Sequence, residues 1–174
     1  MKIGIIYYSR TGNTKKLAEI AFDLLKGMLH EVSLFPIENF SPENEQQFDL
    51  LIIGSYCDSN NYPKKVRELF ASLTKNKHLA SFVTHSTYSS GPFYQAWAAG
   101  SGTFYDSYCR ENNVVNKGYF HCQGKPSMAI SLFIRSAIIK DRGEWKEFKA
   151  DMNNHPNEQE IMAFKAFIHS IIQA

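Results

Sequence analysis

Lys2-Ile3-Gly4-Ile5-Ile6-Tyr7-Tyr8-Ser9-Arg10-Thr11-Gly12-Asn13-Thr14 is the stretch on which the chain turns. Lys2–Tyr8 reads as a strand, too continuously apolar for a half-exposed edge. Lys15–Leu29 then follows a helical period, with Leu17, Ile20, Ala21, Leu24 and Leu25 on one face. A strand that ends in a hydroxyl-rich turn and opens a helix makes an anion pocket. Free backbone N–H groups converge there, and the helix N-terminus adds partial positive charge. Ser9, Thr11 and Thr14 add hydroxyl donors, and Gly12 lets the turn come close to a ligand. This chemistry suits a terminal phosphate. The plainer alternative is an N-capped helix after a strand, with Asn13 or Thr14 as the cap. Position favours the phosphate, because the first strand-to-helix turn is where nucleotide sites of open α/β sheets lie. Neither G-x-x-x-x-G-K-[ST] nor G-x-G-x-x-G occurs, so triphosphate and dinucleotide loops are set aside.

The same alternation continues along the chain. Glu31–Ile37 alternates as a short strand, and Glu38–Gln47, polar and holding Pro42, is a loop or weak helix. Asp49–Ser55 is a buried strand followed by the polar turn Tyr56–Tyr62. Pro63–Lys75 is a helix with proline at its first position and Val66, Leu69, Phe70 and Leu73 inward. Leu79–Thr84 is a fourth strand, His85–Pro92 another polar turn, and Phe93–Asn112 a helix interrupted at Gly100 and Gly102. Lys117–Gln123 is the fifth strand. The pattern changes over Gly124–Pro156, which holds an amphipathic segment with Met128, Leu132 and Phe133, then a polar stretch. Asn157 and Glu160, three apart, form a capping box for the closing helix. Five strands alternating with helices predict a doubly wound α/β sheet, parallel throughout. In the order 2-1-3-4-5, the turns after strands one, three and four meet in one crevice.

Composition narrows the class. A chain of 174 residues, 44% of them apolar, is expected to be one domain over 1–174 with a self-sufficient core. No apolar run approaches the ~20 residues of a membrane helix, and Met1-Lys2 leads straight into a strand, so no targeting segment is expected. Cys57, Cys109 and Cys122 are odd in number and widely spaced, which reads as reduced thiols in a cytoplasmic protein. The formal charge is only +2 and the lysines are scattered, so nucleic acid is not an expected partner.

The pattern Ser-x-Thr-Gly-Asn-Thr at 9–14 resembles the phosphate loop of the flavodoxins, and the likeness extends through Asp49–Ser55 with its turn and through His85–Tyr88. The stretch Phe120-His121-Cys122-Gln123-Gly124-Lys125, with His155-Pro156-Asn157-Glu158 before the last helix, is similar to a bacterial single-domain subgroup. The resemblance implies a flavodoxin-like three-layer sandwich that binds flavin mononucleotide (FMN). It implies that Ser9, Arg10, Thr11, Gly12, Asn13 and Thr14 hold the phosphate. Ser55, Tyr56, Cys57 and Asp58 would line one side of the isoalloxazine ring, and Ser86, Thr87, Tyr88 and Gly91 the other side and its pyrimidine edge. The implied function is an electron carrier that shuttles low-potential electrons to and from a redox partner protein, as a monomer or weak dimer. The alternative is an FMN-dependent NAD(P)H:acceptor (quinone-type) oxidoreductase with Gly124–Pro156 over its substrate. A third is a module serving chiefly as an interaction partner.

Individual residues carry competing expectations. Tyr56 and Tyr88 are ring-stacking candidates or turn aromatics that cover the sheet end. Trp97, in a helical register, is expected in the core. Arg10 is expected in solvent, as are Lys125 and Arg135 on a solvated helix face. Cys57 is a small side chain tolerant of close approach, and Cys122 is core. His85, His121 and His155 lie too far apart in sequence to argue a metal site. Two departures from the resemblance stand out: flavodoxins are strongly acidic, and many carry a second-loop glycine. No glycine lies between Gly54 and Gly91 here, and Asn60 and Asn61 are the residues that tolerate positive φ in its place.

Overall fold

The computed structural model describes residues 1–73 and 78–173. Five strands, β1 (Lys2–Tyr7), β2 (Glu31–Pro36), β3 (Leu50–Tyr56), β4 (His78–His85) and β5 (Val115–Gln123), pair in parallel in the order 2-1-3-4-5. Helices α1 (Asn13–Gly27), α2 (Lys64–Ser72), α3 (Gly91–Trp97) and α4 (Gly100–Glu111) cross between strands. After β5 come α5 (Met128–Phe133), running on into a π turn at Ile134–Ile138, then α6 (Arg142–Asn153) and α7 (Glu158–Gln173). The fold class expected from the alternation is the one observed.

Side chains of period two place one core on each face of the sheet. Ile3, Ile5, Ile52 and Phe82 face α1 and α7, meeting Leu17, Ala21, Phe164 and Ile168. Ile6, Ile53 and Val83 face the other way, meeting Val66, Phe70, Tyr105 and Tyr108. Tyr62, expected in a polar turn, is fully buried here and its hydroxyl pairs with that of Ser81 at 2.7 Å. A Cβ on Gly54 would stand 2.2 Å from the Phe82 ring, so glycine is what lets the ring of Phe82, its β4 neighbour, lie over β3.

Two expected helices differ for physical reasons. The expected helix Pro63–Lys75 ends at Ser72, where Leu73 turns extended; residues 74 and 75 lie outside the described residues. The expected helix Phe93–Asn112 is two helices, because Ala98 leaves helical geometry at φ −143°. Glu38–Gln47 forms two short 3-10 turns, Ile37–Asn39 and Pro42–Gln47. The Asn157–Glu160 capping box forms reciprocally: each backbone N–H donates to the other's side chain at 2.9 Å.

The segment between β5 and α7 folds over the carboxyl ends of the strands. It has a small core of its own, in which Ile134, Phe148 and Met152 meet Ile139 and Trp145. Asp141 caps α6 by accepting from the N–H groups of Gly143 and Glu144 at 2.7 and 2.9 Å. Arg135, expected on a solvated face, instead donates to the carbonyls of Ile139 and Lys140 at 2.7 and 2.6 Å and so closes the π turn.

Candidate functional site

The first turn is shaped by Gly12, which caps α1 at φ +89° with no atom within 4 Å of a would-be Cβ. No side chain caps this helix. The first-turn N–H groups of Asn13, Thr14 and Lys15 therefore have no acceptor among the described residues. The plainer expectation, with Asn13 or Thr14 as the cap, is not what the chain does. Asn13 instead donates its amide to Thr11 Oγ1 and to the Lys125 carbonyl, each at 2.9 Å. Thr14 is buried with its hydroxyl paired to that of Thr84 at 2.9 Å, which fastens the first turn to the end of β4.

The second turn is set by Asp58 and Asn61, which exchange backbone hydrogen bonds at 2.7 and 3.0 Å. Ser59 and Asn60 between them take φ +51° and +63°, the geometry of a mirror-image turn usually filled by glycine or asparagine. Asn60 thus takes the positive φ expected of it, with Ser59 rather than Asn61 as its companion. Its side chain accepts from the Gly100 N–H at 2.8 Å, and a Cβ on Gly100 would meet the Asn60 carbonyl at 2.1 Å. Second turn and α4 are therefore pressed backbone to backbone.

These turns and the segment above them enclose a cavity of about 680 Å³. Arg10, Thr11 and Asn13 enter it from the first turn, Tyr56, Cys57 and Asp58 from the second, and Ser86, Thr87 and Tyr88 from the third. Five expected residues lie elsewhere. Ser9 and Gly12 face an adjoining hollow with Tyr8 and Lys15. Thr14 and Ser55 are buried, and the Ser55 hydroxyl donates to the Tyr56 carbonyl at 2.9 Å, so neither side chain is free for a ligand. Gly91 starts α3 at φ +79°, outside the lining. Arg10, exposed as expected, lies 5.4 Å over the Tyr56 ring, which also packs on Tyr8 at 5.3 Å. Lys125 is likewise exposed as expected and lines the cavity.

Several lining residues escaped the sequence. Trp97 is 45% exposed rather than core, because the break at Ala98 leaves it on the short α3, where it faces Phe133 at 6.0 Å. Ile130, Phe133, Ile134 and Phe148 roof the cavity. Their apolar period was visible as amphipathicity, but nothing in the period says that the apolar face looks at a hollow. Cys57, on the second turn, has its thiol pushed up by burial and directed at the Trp97 carbonyl at 3.4 Å, the state of an inert thiol.

His85, which lines the cavity, touches His121, 36 residues on: His85 Nε2 and His121 Nδ1 lie 3.0 Å apart. His85 Nδ1 meets the Thr87 carbonyl at 3.0 Å. Burial pushes His85 down to about 3, helped by the neighbouring imidazole of His121, and burial lowers His121 as well. His155 sits apart, between Glu160 at 2.5 Å and Asp151 at 3.4 Å.

A parallel 2-1-3-4-5 sheet with its crevice at the ends of strands 1, 3 and 4 defines a doubly wound, nucleotide-type α/β protein. The flavodoxin domain family matches residues 4–169, and the chain belongs to that family. The flavodoxin-like domain-containing protein BilS of Clostridium symbiosum (strain WAL-14163) is 26% identical over 100% of this chain and 97% of its own. BilS of Clostridioides difficile (strain CD3) is 24% identical over 99% of this chain and 97% of its own. Oxidised flavodoxin 2 of Bacillus cereus superposes with a TM-score of 0.67 at 18% identity, covering 99% of each chain. A short-chain flavodoxin associated with a bacterial microcompartment superposes with a TM-score of 0.69 at 13% identity, over 99% of this chain and 97% of that one. These structural likenesses concern the fold.

The family implies a flavin cofactor, and the residues present fit one. Unsatisfied N–H groups and an open glycine turn suit its phosphate, and a largely apolar hollow walled by Tyr56, Trp97 and Tyr88 suits its ring. Among the described residues no helix is long and apolar enough to cross a membrane, and no group of three or more metal-ligating side chains occurs.

Proposed function

We propose that the chain, acting as one domain, binds FMN and carries electrons between redox partner proteins in the cytoplasm. The observation that carries this reading is the uncapped start of α1 at the edge of the cavity. Three N–H groups there lack acceptors among the described residues, and Thr11 and Arg10 stand beside them. The N–H groups of Asn13, Thr14 and Lys15 bind the phosphate dianion, with the helix dipole behind them. Tyr56 and Tyr88 orient the ring and exclude water, and the apolar walls disfavour added negative charge on it. When bound, the flavin supplies the one-electron chemistry, and the protein supplies orientation and electrostatics. Three free cysteines fit a reducing compartment. The test is titration of the purified apoprotein with FMN, read by quenching of flavin fluorescence. One equivalent bound, and at least tenfold weaker binding in Gly12→Val, is the expected result. No binding by the unaltered chain ends the proposal.

The roof favours a second reading, an FMN-dependent NAD(P)H:acceptor oxidoreductase. Ile130, Phe133 and Phe148 enclose space next to Trp97 that an acceptor could fill. Steady oxidation of NAD(P)H with a soluble quinone and no partner protein would establish it, and absence of turnover would leave the carrier reading.

A further inference from the structure

We propose that His85 and His121 form a one-proton store, which draws a proton from water when negative charge enters the cavity and sets the resulting positive charge against its wall. This rests on the flavin reading above. The Thr87 carbonyl can only accept, so His85 Nδ1 carries hydrogen. In the neutral ring His85 Nε2 is then bare, and it accepts from His121 Nδ1–H across 3.0 Å. The tautomers of both rings follow, and His121 Nε2 is the one basic nitrogen of the pair with no hydrogen-bond partner among the described residues. The two rings differ in access. His85 is 4% exposed and lines the cavity, whereas His121 is half-buried, so water reaches the pair through His121.

A proton that arrives at His121 Nε2 allows the Nδ1 proton to pass to His85 Nε2. The N–H bond at His121 Nδ1 breaks as the one at His85 Nε2 forms, and the positive charge moves from the solvent side to the cavity side. A second proton would place two like charges within one hydrogen bond, so the pair stores one. Other groups frame the balance. Tyr94 from α3 stacks on His121 at 4.4 Å between centroids, and Tyr119 of β5 lies 6.2 Å away. Glu160 of α7 favours charge on His121, and His155 opposes it on His85. Burial keeps both rings neutral at rest near neutral pH, so the store is empty until an anion forms beside it. The balance closes with an external donor of the dithionite type. A bound flavin would take up two electrons and one proton and so present one negative charge to the cavity, which one further proton from water, held on the pair, would balance.

The experiment measures the midpoint potential of the FMN-loaded protein from pH 6 to 9, for the unaltered chain and for His121→Phe, which keeps a ring against Tyr94. The expected result is a slope steeper by one proton per two electrons in the unaltered chain. Identical slopes overturn the proposal. Nitrogen NMR of the histidine rings in the unaltered, dithionite-reduced protein gives a second readout that needs no variant. One shared imidazolium is expected, and two neutral rings overturn the store. A preparation without flavin absorbance fails the cofactor reading instead, a distinct outcome that takes this proposal with it.

Discussion

At Gly12 the objection to a side chain is conformational, not steric: φ is +89° and the space around it is open. Gly12→Ala is therefore expected to cost about 1 kcal/mol of folding stability, seen as a lower urea midpoint with an unchanged slope. The His85 ring makes stability depend on pH in one direction. Its folded value of about 3 lies below the ordinary 6.5, so below pH 6.5 the unfolded chain binds a proton that the folded one refuses. Stability is intact above that pH and declines as pH falls toward 3, by about 2 kcal/mol at pH 5. Urea unfolding of the apoprotein at pH 7 and pH 5 checks this, and His85→Phe should flatten the difference. The sequence marked Arg10, Thr11, Asn13, Tyr56 and Tyr88, because turn chemistry is local. It missed the partnership of His85 with His121, because only the pairing of β4 with β5 makes them neighbours.

Elements were legible where their own residues decide them. The Asn157–Glu160 box and the continuous apolar run within Asp49–Ser55 are self-contained signals. The break after Trp97 was not legible, since the sequence points to Gly100 and Gly102 whereas the chain leaves the helix at Ala98. The segment above the cavity was legible as amphipathic and no further, because its apolar face meets a hollow instead of a complementary core. Its helix α6 begins at a well-made cap. Asp141→Ala is expected to remove about 1 kcal/mol from that helix. Faster amide exchange confined to residues 142–153, with FMN affinity changed less than threefold, is the expected signature.

On the scale of the whole molecule, two cores grip one sheet, and Phe164 of α7 is buried with its ring 5.0 Å from that of Phe82. Phe164→Ala should destabilise by about 3–5 kcal/mol, measured by denaturant unfolding. An excess of FMN at about a hundred times its dissociation constant should return roughly 2.7 kcal/mol of that. Such rescue distinguishes a damaged core from a damaged site. The architecture was readable from the alternation of strands and helices, whereas the extent of the cavity was not, since it depends on how far the late segment folds back. Asn13 adds a consequence of its own. One amide grips both Thr11 and the main chain at Lys125, so the first turn and the foot of the covering segment share a single bolt. Trimming that amide to alanine should slacken both ends together.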